Sequence, residues 1–549
     1  MDVRLAALAG AAVLCLLAPA PTTAVAAEPL PGSTAPSPAP PDFFPPKPEG
    51  YEVASRVAIR IADKDPKVAE QSERYGQLTT AIQTTDDGAW QVGYKSGDDE
   101  VAQVKVDGVS GQIRESWTGY QVAWPMARGY GGQFGHVLNA PYVWIPLSLV
   151  FLLGLLDWRR PFRIAHLDLL VLLSFGISHV FFNRGEIGVS VPFVYPTLAY
   201  LLIRTLWVGF RGGEGLRPSA RASWLAIAAV VLVAFRITIN VVDSGVIDVG
   251  YAGTIGADRI THGETVWGEN QFPEDNRFGD TYGPFNYYAY VPFELALPWD
   301  GEWDELPSAH AAAIFFDLAA VAGLIFCARR LRPGRRGNQL AAALAFAWLA
   351  YPYTDFALQS NSNDSLIAAV LAWSLALFAR PAARGASLAL AAAAKFAPLV
   401  LAPLYAAGEC GLRPRGLRPV ALFGASFLAV AALMLLLPAL DPGLATFYER
   451  TVKSQIDRTS PFSIWGQVDG IQWLQTVVFA LTAVGALALA FVPRRRSLVQ
   501  VGALSAAALI ALQLSVDHWF YLYIPWFLPG LFVALSGERS AEMAVKSAN

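Results

Sequence analysis

The sequence predicts an all-α polytopic membrane bundle, about eleven spans plus a re-entrant hairpin, with a small α+β extracytoplasmic domain at the N terminus. Three observations predict it. The chain has 549 residues, of which 54% are hydrophobic, more than one water-soluble core can hide. The apolar residues fall in runs of about 20, the length a helix needs to cross hydrocarbon. Arginines cluster in the short connections between those runs while carboxylates gather in the longer ones, an asymmetry that fixes orientation. The net charge of -3 leaves no basic face for nucleic acid. Cys15 lies in a segment expected to be cleaved, and Cys327 and Cys410 stand alone beside arginine-rich loops. Neither a disulfide framework nor a thiolate metal site follows.

Residues 1–27 carry Arg4, an apolar run from Leu5 to Leu17 and the small-residue ending Ala24-Val25-Ala26-Ala27. This is the three-part layout of a secretory signal peptide, with an uncleaved anchor helix as the alternative. Residues 28–50 are proline-rich and read as an extended tether. From Tyr51 to about Trp117 the pattern is that of a small soluble α+β unit, with the domain drawn over 51–125. Asp65 to Tyr75 predicts a short helix, and alternation in Trp90 to Tyr94 and Val101 to Val106 predicts two strands joined by Gly97-Asp98. The stretch from Val104 through Asp107 and Gly111 to Ile113 resembles the strand-and-turn signature of PepSY-type domains, small extracytoplasmic modules. A generic hairpin domain is the alternative.

Apolar runs follow at 141–158, 165–182, 189–210, 222–241, 309–328, 339–356, 365–379, 386–408, 420–440, 471–492, 498–515 and 518–536, the membrane domain being 141–537 and the cytoplasmic tail 538–549. Arg159, Arg217, Arg332, Arg380, Arg413 and Arg495, each with neighbouring arginines, mark the cytoplasmic connections. Both flanks of 386–408 are arginine-rich, so this run is expected to enter and leave on one side as two half-helices, with Lys395 and Pro398 at the turn. The long segments 242–308 and 441–470 are then external. No internal repeat of the kind that builds paired-half transporters is visible.

The segment 242–308 is dense in Tyr, Pro and carboxylate: Asp243, Asp248 and Tyr251, then Asp258 and His262, then Gly279-Asp280-Thr-Tyr282-Gly-Pro284 running on to Tyr290, Pro292 and Glu294. Over about residues 222–530 this order of features resembles the GT-C superfamily of membrane glycosyltransferases, most closely the polyprenyl-phosphate-mannose-dependent type grouped as glycosyltransferase family 87. In that family a carboxylate outside a span is followed by a short helix, a glycine turn and a Tyr-Pro-Pro-like lead into the next span. Here Tyr282-Gly283-Pro284 stands where the double proline would be. Asn361-Ser-Asn363-Asp364 and Lys395-Phe-Ala-Pro398 are further matches.

Sugar transfer from a lipid phosphate needs a base for the acceptor hydroxyl and positive charge for the departing phosphate. Asp248, at the expected membrane surface, is the first candidate for the base, with Asp243 and Asp280 as the rival candidates; a solvated carboxylate at a helix start is the alternative. Lys395, at the turn of two apolar half-helices, is the first candidate for the phosphate, unless exposed carbonyls satisfy it. Arg450, Lys453 and Arg458 of the second external segment are placed to assist, though a charge run there is also simply a solvated face. Tyr282 and His518 complete the donor set, His518 alternatively belonging to an interfacial aromatic belt. Asp317, deep in its span, and His310, two turns away on the same face, are supporting candidates with Asn363 and Asp364. The alternative for Asp317 is a structural pair with Arg236.

No metal ligands at suitable spacing and no glycine-rich nucleotide loop stand out, so a polyprenyl-phosphate sugar is the expected donor and no cofactor is expected. The resemblance implies transfer of a hexose, mannose first, to an envelope glycan, lipid or protein on the external face of the cell membrane, with inversion. A transporter or flippase is the rival reading, and a non-catalytic envelope protein carrying a binding module is the third.

Overall fold

The structure is a computed structural model and describes residues 44–537, apart from 86, 98, 130–139, 214, 304, 412–416 and 457–459. The signal-peptide reading, most of the proline-rich tether, the tail, Arg413 and Arg458 lie outside the described residues. The chain divides into two compact units, one holding residues 20–131 with 179–190, the other 132–178 with 191–549.

In the first unit two helices, α1 (Ser55–Ala62) and α2 (Pro66–Tyr75), precede four strands, β1 (Thr79–Thr84), β2 (Ala89–Ser96), β3 (Asp99–Asp107) and β4 (Ile113–Thr118). The strands form an antiparallel meander in sequence order. α2 starts where expected, because the Asp65 carboxylate accepts from the Lys67 amide 2.8 Å away and Pro66 occupies the first helical turn. The alternating side chains of β2 and β3 put Trp90, Val92, Val104 and Val106 into one core with Ala58, Ala62 and Val68. The sequence reading missed α1, β1 and β4. Both missed strands are sheet edges whose residues are at most half-buried, so the period-2 apolar signal is weak in them.

The second unit is helical: α3 (Pro141–Leu155), α4 (Ile164–Asn183), α5 (Ile187–Arg211), α6 (Ala222–Asp243), α7 (Asp248–Thr261), α8 (Pro307–Leu331), α9 (Gly334–Ala350), α10 (Pro352–Gln359), α11 (Asp364–Ala376), α12 (Pro381–Ala394), α13 (Ala402–Ala407), α14 (Leu417–Met434), α15 (Gln472–Ala488), α16 (Leu498–Ser515) and α17 (Ile524–Ala534). Against the eleven spans expected, six helices among the described residues, α4, α5, α6, α8, α14 and α16, are long and apolar enough to cross a membrane, and five apolar helical stretches are shorter. The shortfall has local causes. The run at 339–356 breaks at Tyr351, which is extended before Pro352, and a new helix starts there. The run at 518–536 is helical only from Tyr521, because the polar Asp517-His518 stretch before it is irregular.

α8 packs on α9 and α11, and α17 on α11 and α16. α16 is buried along almost its whole length, whereas α14 buries only Phe423. Small residues allow the closest approach, as bundles in lipid require: a side chain at Gly530 would run 2.5 Å from the Gly502 carbonyl.

The 386–408 run is broken as expected. α12 ends at Ala394, Lys395 is extended, and a 3-10 turn at Ala397–Leu401 leads into α13. The two ends meet again: the Arg384 guanidinium, near the start of α12, lies 2.7 Å from where a Gly408 side chain would begin, and Phe378 packs edge-on against Tyr405 at 5.3 Å.

Candidate active site

The turn preceding α11 organises the site. Asn361 adopts a left-handed conformation with φ of 48°, which Asn tolerates better than most residues. Its side chain donates to the Ser244 hydroxyl at 2.9 Å and to the Gly245 carbonyl at 3.0 Å, while the Ile247 amide donates to Ser360 O at 3.2 Å. Gly250 packs directly on the Asn361 carbonyl, where any side chain would collide. Asp248 therefore stands exposed at the first turn of α7, where the helix dipole favours a carboxylate, on a loop seated against residues 359–361. Asp243, at the end of α6, is also exposed.

Asp364 begins α11 and is buried. The Lys395 ammonium, at the break after α12, donates to its Oδ1 at 2.6 Å, and the Trp526 indole donates to the same oxygen at 2.8 Å. Tyr523 and Trp526, one helical turn apart, stack at 4.2 Å. Lys395 Nζ lies 5.4 Å and 5.0 Å from their ring centres, a cation–π arrangement. Asp364 keeps 1% of its side-chain surface exposed but Lys395 keeps 15%: the lysine is reachable and its counterion is not. Asn363 Nδ2 donates to Asn286 Oδ1 at 2.5 Å. Asn286 Nδ2, Asn363 Oδ1, Tyr290 Oη and Ser365 Oγ are buried with no hydrogen-bond partner among the described residues, so polar capacity remains beside the pair.

Tyr282-Gly283 joins this centre to the outer loop. Gly283 lies against the Ala393 carbonyl, again with no room for a side chain, and its amide reaches Ala394 O at 3.4 Å. Tyr282 is held through its backbone, which accepts from the Trp267 indole at 3.1 Å. Two residues earlier, Asp280 is fully buried and grips Arg450 in two prongs: Nε to Oδ2 at 2.6 Å and Nη2 to Oδ1 at 3.0 Å. The Gly268 amide donates to Oδ2 as well, at 3.2 Å. The hydrogen bond to Asp280 holds the Arg450 guanidinium further above its usual pKa. Arg450 sits in a π-turn, Glu449–Lys453, a distortion common at functional sites. His518 pairs its Nδ1 with the Ser460 hydroxyl at 2.9 Å and lies 6.0 Å from the Tyr523 ring.

A second polar group lies deeper. Arg236 of α6 donates to Asp317 Oδ1 at 2.7 Å and lies 3.7 Å from Asp355, with Trp348 Nε1 donating to Asp317 at 2.7 Å. All three charged side chains are at most 3% exposed. The alternative expected for Asp317, a pair with Arg236, is thus formed. His310 bonds instead to Asn240, at 3.0 Å, and Asn240 donates in turn to Asn361 at 2.9 Å. Arg236 and Asn240 of α6, with Ser244 just past its end, form a polar stripe that braces the Asn361 turn.

The structure thus gathers Asp364, Lys395, Asn363 and, through Tyr523, His518, and ties Tyr282 and the Asp280–Arg450 pair to the same region. Asp317 belongs to the deeper group. The sequence reading missed Tyr523, Trp526, Asn286, Tyr290 and Asp355. Of these only Asp355, an ionisable residue inside an apolar run, carried a sequence signal of its own. Among the described residues no three His, Cys, Asp or Glu side chains come together in metal-binding geometry.

No curated protein matches the chain. Among solved structures, that of ArnT from Cupriavidus metallidurans bound to undecaprenyl phosphate is similar at 17% identity and a TM-score of 0.40, over 58% of this chain and 60% of that one. The chain thus spans less than two thirds of that protein's length. From within the 242–308 segment to just past α16, residues 281–516 match glycosyltransferase family 87, the family that the order of motifs in the chain resembles.

Proposed function

We propose that the protein is an inverting GT-C-type membrane glycosyltransferase that moves a hexose, mannose by family resemblance, from a polyprenyl phosphate to a cell-envelope acceptor on the external face. The observation that carries this reading is the Lys395 ammonium, held at a helix break by Asp364, Tyr523 and Trp526, with Lys395 and Asp364 inside the region that matches family 87. A cation at a broken helix with exposure left over suits a lipid phosphate and serves both binding and departure.

In this reading Asp248 is the base. Asp280 has both oxygens engaged and is buried, whereas Asp248 is exposed at a helix start beside the turn leading to Asp364. Asp248 takes the proton of the acceptor hydroxyl as its oxygen bonds to the anomeric carbon. The bond from that carbon to the phosphate oxygen breaks, and its electron pair leaves with the polyprenyl phosphate beside Lys395. Arg450 and His518 flank the donor, and a single displacement inverts the anomeric carbon. The N-terminal module, PepSY-like in its strand-and-turn signature, belongs to the extracytoplasmic side with the active site.

The rival transporter reading draws on the buried Arg236–Asp317–Asp355 group, since intramembrane ion clusters also serve substrate pathways. The deciding experiment incubates membranes containing the protein with radiolabelled polyprenyl-phosphate sugars. Wild type is expected to transfer label to an acceptor and release polyprenyl phosphate. Asp248→Asn, which keeps shape but loses basicity, is expected to slow turnover by about two to four orders of magnitude with donor binding nearly unchanged. Wild type that moves intact donor across the membrane without releasing polyprenyl phosphate is a carrier, and the enzyme reading is then wrong.

A further inference from the structure

A cavity of about 300 Å³ opens at the arginine-bearing end of the bundle, between the ends of α3, α8 and α17 and the starts of α6 and α9. Its polar rim is Arg217, Arg221 and Arg332. Its walls are apolar, with Leu155, Leu344 and Phe532 among them, and no carboxylate is among the described residues lining it. We propose that this cavity binds the phosphate headgroup of an anionic membrane phospholipid, with the upper part of an acyl chain against the apolar wall.

Three features support a built site. The loop bearing Arg217 and Arg221 is pinned from both sides, since the Leu216 amide donates to Leu535 O at 2.6 Å and the Ser219 amide to Leu156 O at 3.1 Å. Gly215 lies flat on the Gly537 backbone, so the loop cannot lift without losing that contact. Arg332 is oriented by its bond to Ser536 O at 2.6 Å. Asp157, the acid bonded to this loop, is occupied by Ser219 at 3.1 Å and Arg163 at 3.7 Å. The loop backbone that carries Arg217 and Arg221 and the Arg332 guanidinium are thus set before any ligand arrives, and pre-organisation lowers the cost of binding.

Location selects the ligand. Arginines at helix ends lie at headgroup level, where basic pockets between spans take anionic lipids. Inorganic phosphate would satisfy the rim but leave the apolar wall wet, whereas a lipid covers both. The volume sits at the low end for ligand pockets, which suits a headgroup and the first methylenes rather than a whole lipid. The site lies at the opposite end of the bundle from Lys395 and does not depend on the transferase reading.

The test titrates dioleoylphosphatidylglycerol, dioleoylphosphatidylcholine or sodium phosphate into the full chain in neutral detergent and follows thermal unfolding and native mass. Phosphatidylglycerol is expected to bind saturably and raise the melting temperature, and phosphatidylcholine to do neither. Arg217→Gln/Arg221→Gln should weaken that binding at least tenfold. Ala343→Leu, which fills the wall and keeps every charge, should weaken it as well, while Arg217→Lys/Arg221→Lys retains most of it. Equal binding of phosphatidylcholine overturns the charge recognition, and saturation of the same effect by sodium phosphate overturns the lipid in favour of the free ion. Unchanged phosphatidylglycerol binding in both the Gln and the Leu variants overturns the site.

Discussion

Lys395 and Asp364, 31 positions apart in sequence, meet at 2.6 Å where one helix breaks and another begins. The acid is sealed and the base is reachable, so replacing either one has different consequences.

Lys395→Ala removes a cation that meets the donor phosphate in the ground state and stabilises it as it leaves. Donor binding should weaken, and turnover should fall by about two to three orders of magnitude. Asp364→Asn leaves the ammonium without its counterion but keeps an acceptor for the Trp526 indole. A broken buried pair costs about 3–5 kcal/mol, and the 15% exposure of Lys395 puts this one at the low end. Thermal unfolding in detergent separates the cases: Lys395→Ala strands the sealed Asp364 carboxylate and melts markedly lower, whereas Asp364→Asn leaves an ammonium with 15% exposure and melts less far below wild type. Full transferase activity in Lys395→Ala would remove the lysine from the mechanism.

The deeper group should behave as a brace. Arg236 serves Asp317, Asp355, the Leu349 carbonyl and Thr354 at once, so Arg236→Met strands two buried carboxylates. Asp317→Asn strands none and still accepts from Trp348. We expect Arg236→Met to cost about 3–5 kcal/mol of stability and Asp317→Asn clearly less, read from unfolding of purified protein. Equal losses would mean that Asp355 takes no share of the Arg236 charge.

What could be read from the sequence followed from local chemistry. A lysine and a proline inside an apolar run announce a break, and the break occurs at Lys395. For Asp317, deep in a span and first a supporting candidate for the site, the alternative is a pair with Arg236, and that alternative is what forms. Tyr523 and Trp526 looked like ordinary aromatic residues of an apolar helix, because what distinguishes them is contact with Lys395, far earlier in the chain. The arginine rim of the lipid cavity was legible only as topology, since the loop's pinning to α17 is a tertiary property. The span count was met only in part for a related reason: hydropathy registers apolar length, not the extended residue before Pro352 that divides one run into two helices.

The N-terminal module carries its own pH signal. Asp107 accepts from the Val109 and Ser110 amides at 3.0 Å and 2.6 Å and from Arg114 Nε at 2.8 Å. Led by the Ser110 amide, these bonds hold its carboxyl well below the usual range. The unfolded chain takes up that proton first, so the contribution to stability is present above about pH 4 and is lost as pH falls through the folded value. Residues 44–128, expressed alone, should melt progressively lower between pH 5 and pH 2.5 (about one unit above and below the ordinary carboxyl range). Asp107→Asn should be less stable at neutral pH and show a flatter profile, while an unchanged slope would assign the dependence to other carboxylates.

The hairpin makes the last prediction. α12 rises for 14 residues, about 21 Å, short of the ~30 Å hydrocarbon core. The chain then turns at Lys395, and the Arg384 guanidinium again stands beside Gly408, so both ends of the segment lie at one level. Cys410 follows at once and is exposed, whereas Cys327 is buried, which makes Cys410 a native reporter of that level. Reporter fusions after Arg384 and after Arg415 should both read cytoplasm, as their arginine-rich flanks require. A membrane-impermeant maleimide should spare Cys410 in intact cells and label it in inverted vesicles, with Cys327 unreactive in both. Labelling of Cys410 from outside, together with a cytoplasmic reading after Arg384, would mean that the segment crosses the membrane. Lys395 would then lie partway along a full span instead of at the tip of a hairpin, and the phosphate site proposed there would lose its approach from the external face.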